Sequence, residues 1–212
     1  MRTVTQNPNP PSCLSSQPPR QDWYTFMQRE CHGLVAESVR EEQHRLCCYC
    51  ETEIEQADCH VEHLAPRSAS PATTYTYANL AASCNGNGGQ HCGHFKDDNH
   101  RDPDCRYDRM LFCSPHDPAT KRLFAYALDG KINPPEELSP LDREKSEYMI
   151  GYLGLGDPGL EKRRHAHALA LIHTLGKAPD PSLLAWAMDY YLKQDGQNRL
   201  RQFHSLSTTL LT

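Results

Sequence analysis

The 212-residue chain has no apolar run long enough to cross a bilayer, no apolar core behind its first methionine of the kind a secretory signal needs, and no basic excess. Its greasiest stretch, Ala168 to Ile172, falls far short of the roughly 18 residues a span requires. A transmembrane protein and an exported one are therefore not expected, and the cytoplasm is. Lys and Arg number 22 against 27 Asp and Glu, a formal net charge of −5. An autonomous, tight DNA-binding protein is usually basic, so that class is disfavoured. A nuclease that relies on metal ions or on a partner is not. Apolar residues are only 38% of the chain, yet 10 Tyr, 5 Phe and 2 Trp set it apart from disordered sequences. The length suits one large domain or two small ones.

What the chain does have is 10 Cys and 12 His, six of each between His44 and His100. A disulfide scaffold needs an oxidising compartment, so clustered Cys and His at short spacing read better as metal ligands. The charge is localised too. Residues 1–45 carry 5 basic and 5 acidic side chains, residues 117–212 carry 12 and 12, and residues 46–116 carry 5 and 10. The whole deficit lies in the Cys/His-rich stretch.

These three stretches also organise the fold. Residues 1–20, rich in Pro, Ser, Asn and Gln, predict a flexible lead-in. From about Gln21 to Arg45, Trp23, Phe26, Met27, Leu34, Val35 and Val39 recur at helical spacing. Residues 46–116 form the Cys/His core, with short β-like runs. Arg122–Leu128 followed by Asp129-Gly130 predicts a hairpin. Beyond it, Ser139-Pro140, Asp157-Pro158 and Asp180-Pro181 each pair a capping residue with a first-turn proline, predicting three helices. The helices over 21–45 and 181–204 are candidate docking surfaces, although ordinary core packing is the favoured reading of such amphipathic patterns. The fold class is α+β.

Cys47 and Cys50 form a C-x-x-C pair, a spacing that lets two thiolates chelate one tetrahedral zinc. The same spacing serves redox sites, so a second pair matters. Cys84 and Cys92 flank Asn85-Gly86-Asn87-Gly88-Gly89-Gln90-His91, whose glycines let the chain fold back on a metal. The preferred set is Cys47, Cys50, Cys84 and Cys92. His91 is an alternative to Cys92, and Cys48 to Cys47. Cys48 and Cys59 otherwise read as ordinary buried cysteines. Between the pairs runs Cys59-His60-Val61-Glu62-His63-Leu64-Ala65-Pro66-Arg67-Ser68. In a strand, His60 and Glu62 share one face and His63 takes the other. Glu62 can hold a hard divalent ion through oxygen, and His63 can take a proton from water. His60-Val61-Glu62 also makes an H-x-E, but a zinc deaminase carries its C-x-x-C after that motif, and here it comes before.

His63, then Asn79, then His94, interleaved with the two cysteine pairs, resembles the HNH nuclease family. The strings CCYCE, HVEHLAPRS, YANLAASC and CGHFKDD, with SPHDPATKRLFAYALDGKI and YLGLGDPGLEKRR downstream, resemble the HNH component of the Septu antiphage system and of retron-associated defence systems. The likeness spans about residues 23–165. It implies a zinc-stabilised ββα-metal core flanked by an N-terminal helix and a C-terminal helical region. His63 matches the general base, Glu62 the acidic metal ligand, Asn79 the central Asn that braces the loop, and His94 the last ligand of a catalytic Mg²⁺ or Mn²⁺. Asn85 and His91 compete with His94 for that place, and His60 is a further candidate ligand. Arg67 and Lys96 are candidates to touch the phosphate backbone, against the plainer reading of solvated surface charge. The resemblance also implies an ATPase partner of ABC/SMC-like or OLD-like type, and in retron systems a reverse transcriptase with its RNA–DNA. DNA is the expected substrate, with RNA as the alternative. A catalytically inactive interaction module is the remaining reading, weakened because Glu62, His63, Asn79 and His94 are all present.

Overall fold

In the computed structural model, which describes residues 1–16, 22–98 and 106–212, two antiparallel strands organise the middle of the chain. Strand β1 (Cys59–His63) pairs with β2 (Leu80–Cys84) in the register Cys59↔Cys84 to His63↔Leu80. All five residues of β2 are buried, because elements pack on it from more than one side. Its small Ala81, Ala82 and Ser83 let helix α2 (Glu30–Glu42) and the short helix α4 (Cys92–Lys96) approach closely. Between β2 and α4 the chain makes a tight turn, α3 (Gly86–Gly89).

The side chain of Gln43, buried just past α2, pairs with the outer edge of β2. Ala82 N–H donates to its Oε1 at 2.7 Å, and its Nε2 donates to the Ala82 carbonyl at 2.8 Å. A third bond runs from Nε2 to the Leu46 carbonyl, also 2.8 Å. The helix end is thereby fixed to the hairpin.

The single helix expected over 21–45 is two. α1 (Trp23–Met27) starts on an Asp22 cap, and Arg29, in extended conformation, separates it from α2. The break lets Trp23 and Phe26 fold back on His32 and Tyr75. Gln21 itself lies outside the described residues.

The lead-in, over residues 1–16, is packed rather than flexible. Met1, Val4 and Leu14 are buried, Val4 N–H donates to the Pro115 carbonyl, and the Met1 amino group lies 3.3 Å from the Glu51 carboxylate. A disulfide joins Cys13 to Cys31 on α2. The metal-ligand reading of the cysteines did not foresee that bond. Three scattered apolar residues in a Pro-rich stretch show no periodicity, and so nothing in the sequence marked them as core.

The second half follows its turn and capping signals. The Asp129-Gly130 turn joins β3 (Ala125–Tyr126) to β4 (Ile132–Asn133). Ser139, Asp157 and Asp180 cap α5 (Pro140–Tyr152), α6 (Pro158–Leu175) and α7 (Pro181–Leu192) by accepting backbone N–H bonds in the first turn. The last helix of the expected 181–204 span stops early. The Asp195 carboxylate accepts from the N–H groups of Gln197 and Arg199 and folds the chain into a turn. Helix α8 (His204–Leu211) then returns to the cysteine knuckle, where Ser205 donates to Glu51 through both N–H and hydroxyl, each at 2.6 Å. The main apolar cluster draws on all three stretches, among them Phe26, Tyr49, Leu80, Leu160 and Phe203. Among the described residues, no helix is long and apolar enough to cross a membrane.

Candidate active site and metal centre

The knuckle that carries Cys47 and Cys50 is closed by Cys47 N–H donating to the Thr52 carbonyl and by a bridge between Leu46 and Glu53. Cys84 ends β2 and Cys92 begins α4. The turn between them wraps around the His91 carbonyl. A Cβ at Gly86, where φ is +59°, would stand 2.0 Å from that oxygen, so only glycine closes the loop. The result brings the four sulfurs within 4.8 Å of one another, all buried. Cys47 and Cys92 are 3.8 Å apart, and Cys50 and Cys84 3.6 Å. A zinc with ~2.3 Å bonds to four thiolates has sulfur–sulfur edges of about 3.8 Å, so the cluster fits one structural zinc. Burial alone would push the Cys47 thiol up. Hydrogen bonds from the neighbouring thiols outweigh it and hold Cys47 well below its ordinary value, and Cys84 N–H donates to the same sulfur at 3.3 Å. Of the alternatives, His91 lies beside the cluster, with Nδ1 3.1 Å from Cys92 Sγ, and Cys48 is buried outside it.

Strand alternation sends Glu62 and His63 to opposite faces. On one face, Glu62 is 1% exposed. Its Oε1 accepts from the Tyr49 hydroxyl at 2.9 Å and pairs with Lys96 Nζ at 3.1 Å. Its Oε2 lies 3.3 Å from His60 Nε2. Burial would raise the Glu62 carboxyl. Lys96 and His60 outweigh it and keep it below its ordinary value, ionised at neutral pH. Burial opposes the charge of Lys96 as well, and Glu62 and Asp97 more than restore it. Lys96 therefore sits neither on a phosphate path nor in solvent, the two positions considered for it. A buried carboxylate needs a compensating charge, and Lys96 supplies it. His94 is exposed and stacks on His60, with ring centroids 4.1 Å apart. Asn85 also reaches His60 through a side-chain hydrogen bond besides donating to the Ala57 carbonyl, whereas His91 turns to the cysteines. Of the three candidates for the last ligand, His94 and Asn85 both lie against His60 and His91 does not.

Gly93 opens this face. A Cβ there would stand 2.3 Å from Glu62 Oε2 and 2.6 Å from His60 Nε2. The hydrogen atom in its place leaves a cradle bordered by one carboxylate oxygen and one imidazole nitrogen, with His94 adjacent. A carboxylate oxygen beside imidazole nitrogen is a donor set that could hold a divalent metal ion.

On the opposite face, His63 is 6% exposed and packs edge-on against Trp23, with centroids 4.3 Å apart. Exposed Arg67 lies over the same Trp23 ring, its guanidinium 5.8 Å from the ring centroid. His63 Nε2 lies 3.1 Å from the Thr74 carbonyl. A carbonyl only accepts, so Nε2 carries the proton and the neutral ring keeps its lone pair on Nδ1. Burial lowers the His63 pKa to about 4. The loop that carries Thr74 is braced by Asn79. Its Oδ1 accepts from Ala65 N–H at 2.8 Å, and its Nδ2 donates to the Ala65 carbonyl and to Thr73 Oγ1, both at 3.1 Å.

No family model matches the chain. It is 31% identical over 147 residues to the HNH endonuclease assigned to retron Vc95 of Vibrio cholerae serotype O1 biovar El Tor, an alignment that covers 67% of each protein. The chain belongs to the HNH endonuclease family. It is accordingly an enzyme of the nuclease class.

Three residues of this HNH endonuclease were not singled out for the site by sequence reasoning. Trp23 was read as part of a packing stripe, which it also is. Tyr49 was hidden between two zinc ligands in the string CCYC, and Gly93 between Cys92 and His94. Only the spacing of Tyr49 inside the knuckle offered a signal, since a residue between two ligands cannot turn far from them.

Proposed function

We propose that this HNH endonuclease hydrolyses phosphodiester bonds of DNA with a catalytic Mg²⁺ or Mn²⁺, through a ββα-metal core within residues 46–116. The observation that carries the reading is the opposed pair on β1, an ionised Glu62 beside His60 and Gly93 on one face and a neutral, tautomer-fixed His63 on the other. Glu62, His94 and His60 would hold the divalent ion. When bound, such an ion supplies positive charge to the oxygens that become more negative as the phosphate reacts. His63 takes the proton of the attacking water at Nδ1, while the Thr74 carbonyl holds its other nitrogen and keeps the ring oriented. Asn79 fixes the loop that carries that carbonyl. Arg67, exposed above Trp23, is placed to meet a backbone phosphate on the His63 side. The zinc on Cys47, Cys50, Cys84 and Cys92 is structural, because four protein ligands leave no open position.

The reading extends to context. The relative is assigned to a retron, which supports an antiphage role in a complex with an ATPase of ABC/SMC-like or OLD-like type, and with a reverse transcriptase and its RNA–DNA where the system is a retron. The acidic balance of residues 46–116 gives an independent reason for a partner, since a negative core repels DNA where no cation offsets it. The cytoplasm is the proposed place of action, where a nuclease meets nucleic acid.

The test is nicking of supercoiled plasmid and of labelled RNA by the full chain, with and without an ATPase of the proposed type, in Mg²⁺ or Mn²⁺. Wild type is expected to nick DNA. His63→Ala, with its zinc retained, is expected to be slower by about 10²-fold or more, the usual loss on removing a general base. Cutting of RNA alone overturns the substrate. A variant as fast as wild type overturns His63 as base, and a wild type that never cuts either polymer overturns the reading.

A further inference from the structure

Glu62 is the most densely partnered carboxylate of the site, and its two oxygens are treated differently. Oε1 receives the Tyr49 hydroxyl at 2.9 Å and the Lys96 ammonium at 3.1 Å. Oε2 receives neither and faces His60 and the space left by Gly93. A carboxylate on a two-carbon stem otherwise rotates freely, and a metal can then take one oxygen or both. Here the two donors converge on one oxygen from different elements, the cysteine knuckle and the end of α4.

We propose that Tyr49 is a positioning residue for the catalytic metal, its hydroxyl pinning Oε1 of Glu62 so that Oε2 alone is presented to the ion. The proposal rests on the reading of Glu62 as a metal ligand. Tyr49 is 1% exposed and lies between Cys47 and Cys50, so its backbone is flanked by two of the four clustered cysteines. The hydrogen bond therefore links the structural centre to the catalytic carboxylate across one side chain. Lys96 alone cannot set that geometry, because an ammonium has three donors on a flexible stem and also serves Asp97, whereas the Tyr49 hydroxyl has one proton and sits on a rigid, buried ring. The same link explains a polar group in an otherwise apolar core position. A buried hydroxyl costs free energy unless it is bonded, and the carboxylate satisfies it.

The experiment compares wild type, Tyr49→Phe and Glu62→Gln as full-length, zinc-loaded proteins. Mn²⁺ affinity is read by titration from the electron spin resonance signal of the free ion, and zinc content is measured in parallel. Tyr49→Phe keeps the ring and removes only the hydroxyl. It is expected to keep one zinc per chain and to weaken Mn²⁺ binding by about tenfold, the low end of what the loss of an outer-shell partner costs. In the nicking assay the Mn²⁺ concentration for half-maximal rate should rise by a similar factor, with a smaller change at saturating metal. Wild-type affinity in Tyr49→Phe, beside lost affinity in Glu62→Gln, overturns the proposal and leaves the ligand reading intact. Wild-type affinity in Glu62→Gln overturns both. Should Tyr49→Phe lose its zinc, ring-fluorinated tyrosine at position 49 carries the test. It preserves the shape and makes the hydroxyl more acidic, so Mn²⁺ affinity must change with it, and an unchanged affinity overturns the proposal.

Discussion

The cysteine cluster and the β1 site lie a few residues apart and are built in opposite ways. The cluster gathers four side chains of one kind, all buried, at distances that a single tetrahedral ion fits. The β1 site divides two adjacent residues between two environments. Glu62 is surrounded by donors and stays charged, while His63 lies under an aromatic cover and stays neutral. One strand thus supplies a permanent anion and a permanent lone pair at neutral pH without letting them pair with each other. The cluster is built by convergence, and the β1 pair by separation.

The strongest way to break the comparison is to remove its shared support. Cys84 ends the strand that is paired with β1, so Cys84→Ser should release the zinc and abolish cooperative thermal unfolding. Structural zinc in small domains contributes ~10–16 kcal/mol, as much as a typical domain's whole stability. Metal analysis and calorimetry check this, and a variant that keeps both zinc and its transition shows that the two sites stand independently. A smaller effect separates them. Asn79→Ala strips the Ala65 backbone of both its bonds and should cost about 1–3 kcal/mol in urea unfolding. Amide exchange should rise in the loop over 65–74 and stay unchanged in the cysteine knuckle. Another effect, of similar size, concerns pH. The ordinary His value of 6.5 falls to about 4 at His63, so between those values the unfolded chain binds a proton that the folded one refuses. Stability contributed by this residue is present above pH 6.5 and is lost as pH falls toward 4. Stability measured at the two ends of that window should therefore fall less in His63→Gln than in wild type. An equal fall shows that His63 is not held neutral by burial.

What was legible in the sequence was local. The C-x-x-C spacing, the two-residue alternation of His60 and Glu62, the Asp129-Gly130 turn and the Ser, Asp and Pro caps each depend on neighbours within a few positions, and each element appears where its signal lies. What was not legible depends on pairing at a distance. Lys96 looked like a surface cation because nothing nearby in the chain shows that Glu62 is buried and needs it. The Pro-rich start looked loose because the partners of Met1 and Val4, Glu51 and Pro115, lie far along the chain. The Cys13–Cys31 bond and the break between α1 and α2 belong to the same class. The first resemblance carried the roles of His63, Asn79 and His94, and residue spacing alone could not have supplied them.

Gln43 has one more consequence. A sheet of two strands has little interior, and each outer edge offers unpaired peptide groups that another chain can join. By giving Ala82 both a donor and an acceptor, the amide of Gln43 does what a neighbouring peptide would do, and Cys48 N–H adds a bond to the same carbonyl. A single side chain thus acts as a one-residue third strand. It closes the edge of the hairpin that carries Glu62 and His63 against self-association, without the extra strand through which a larger sheet would have gained the same protection.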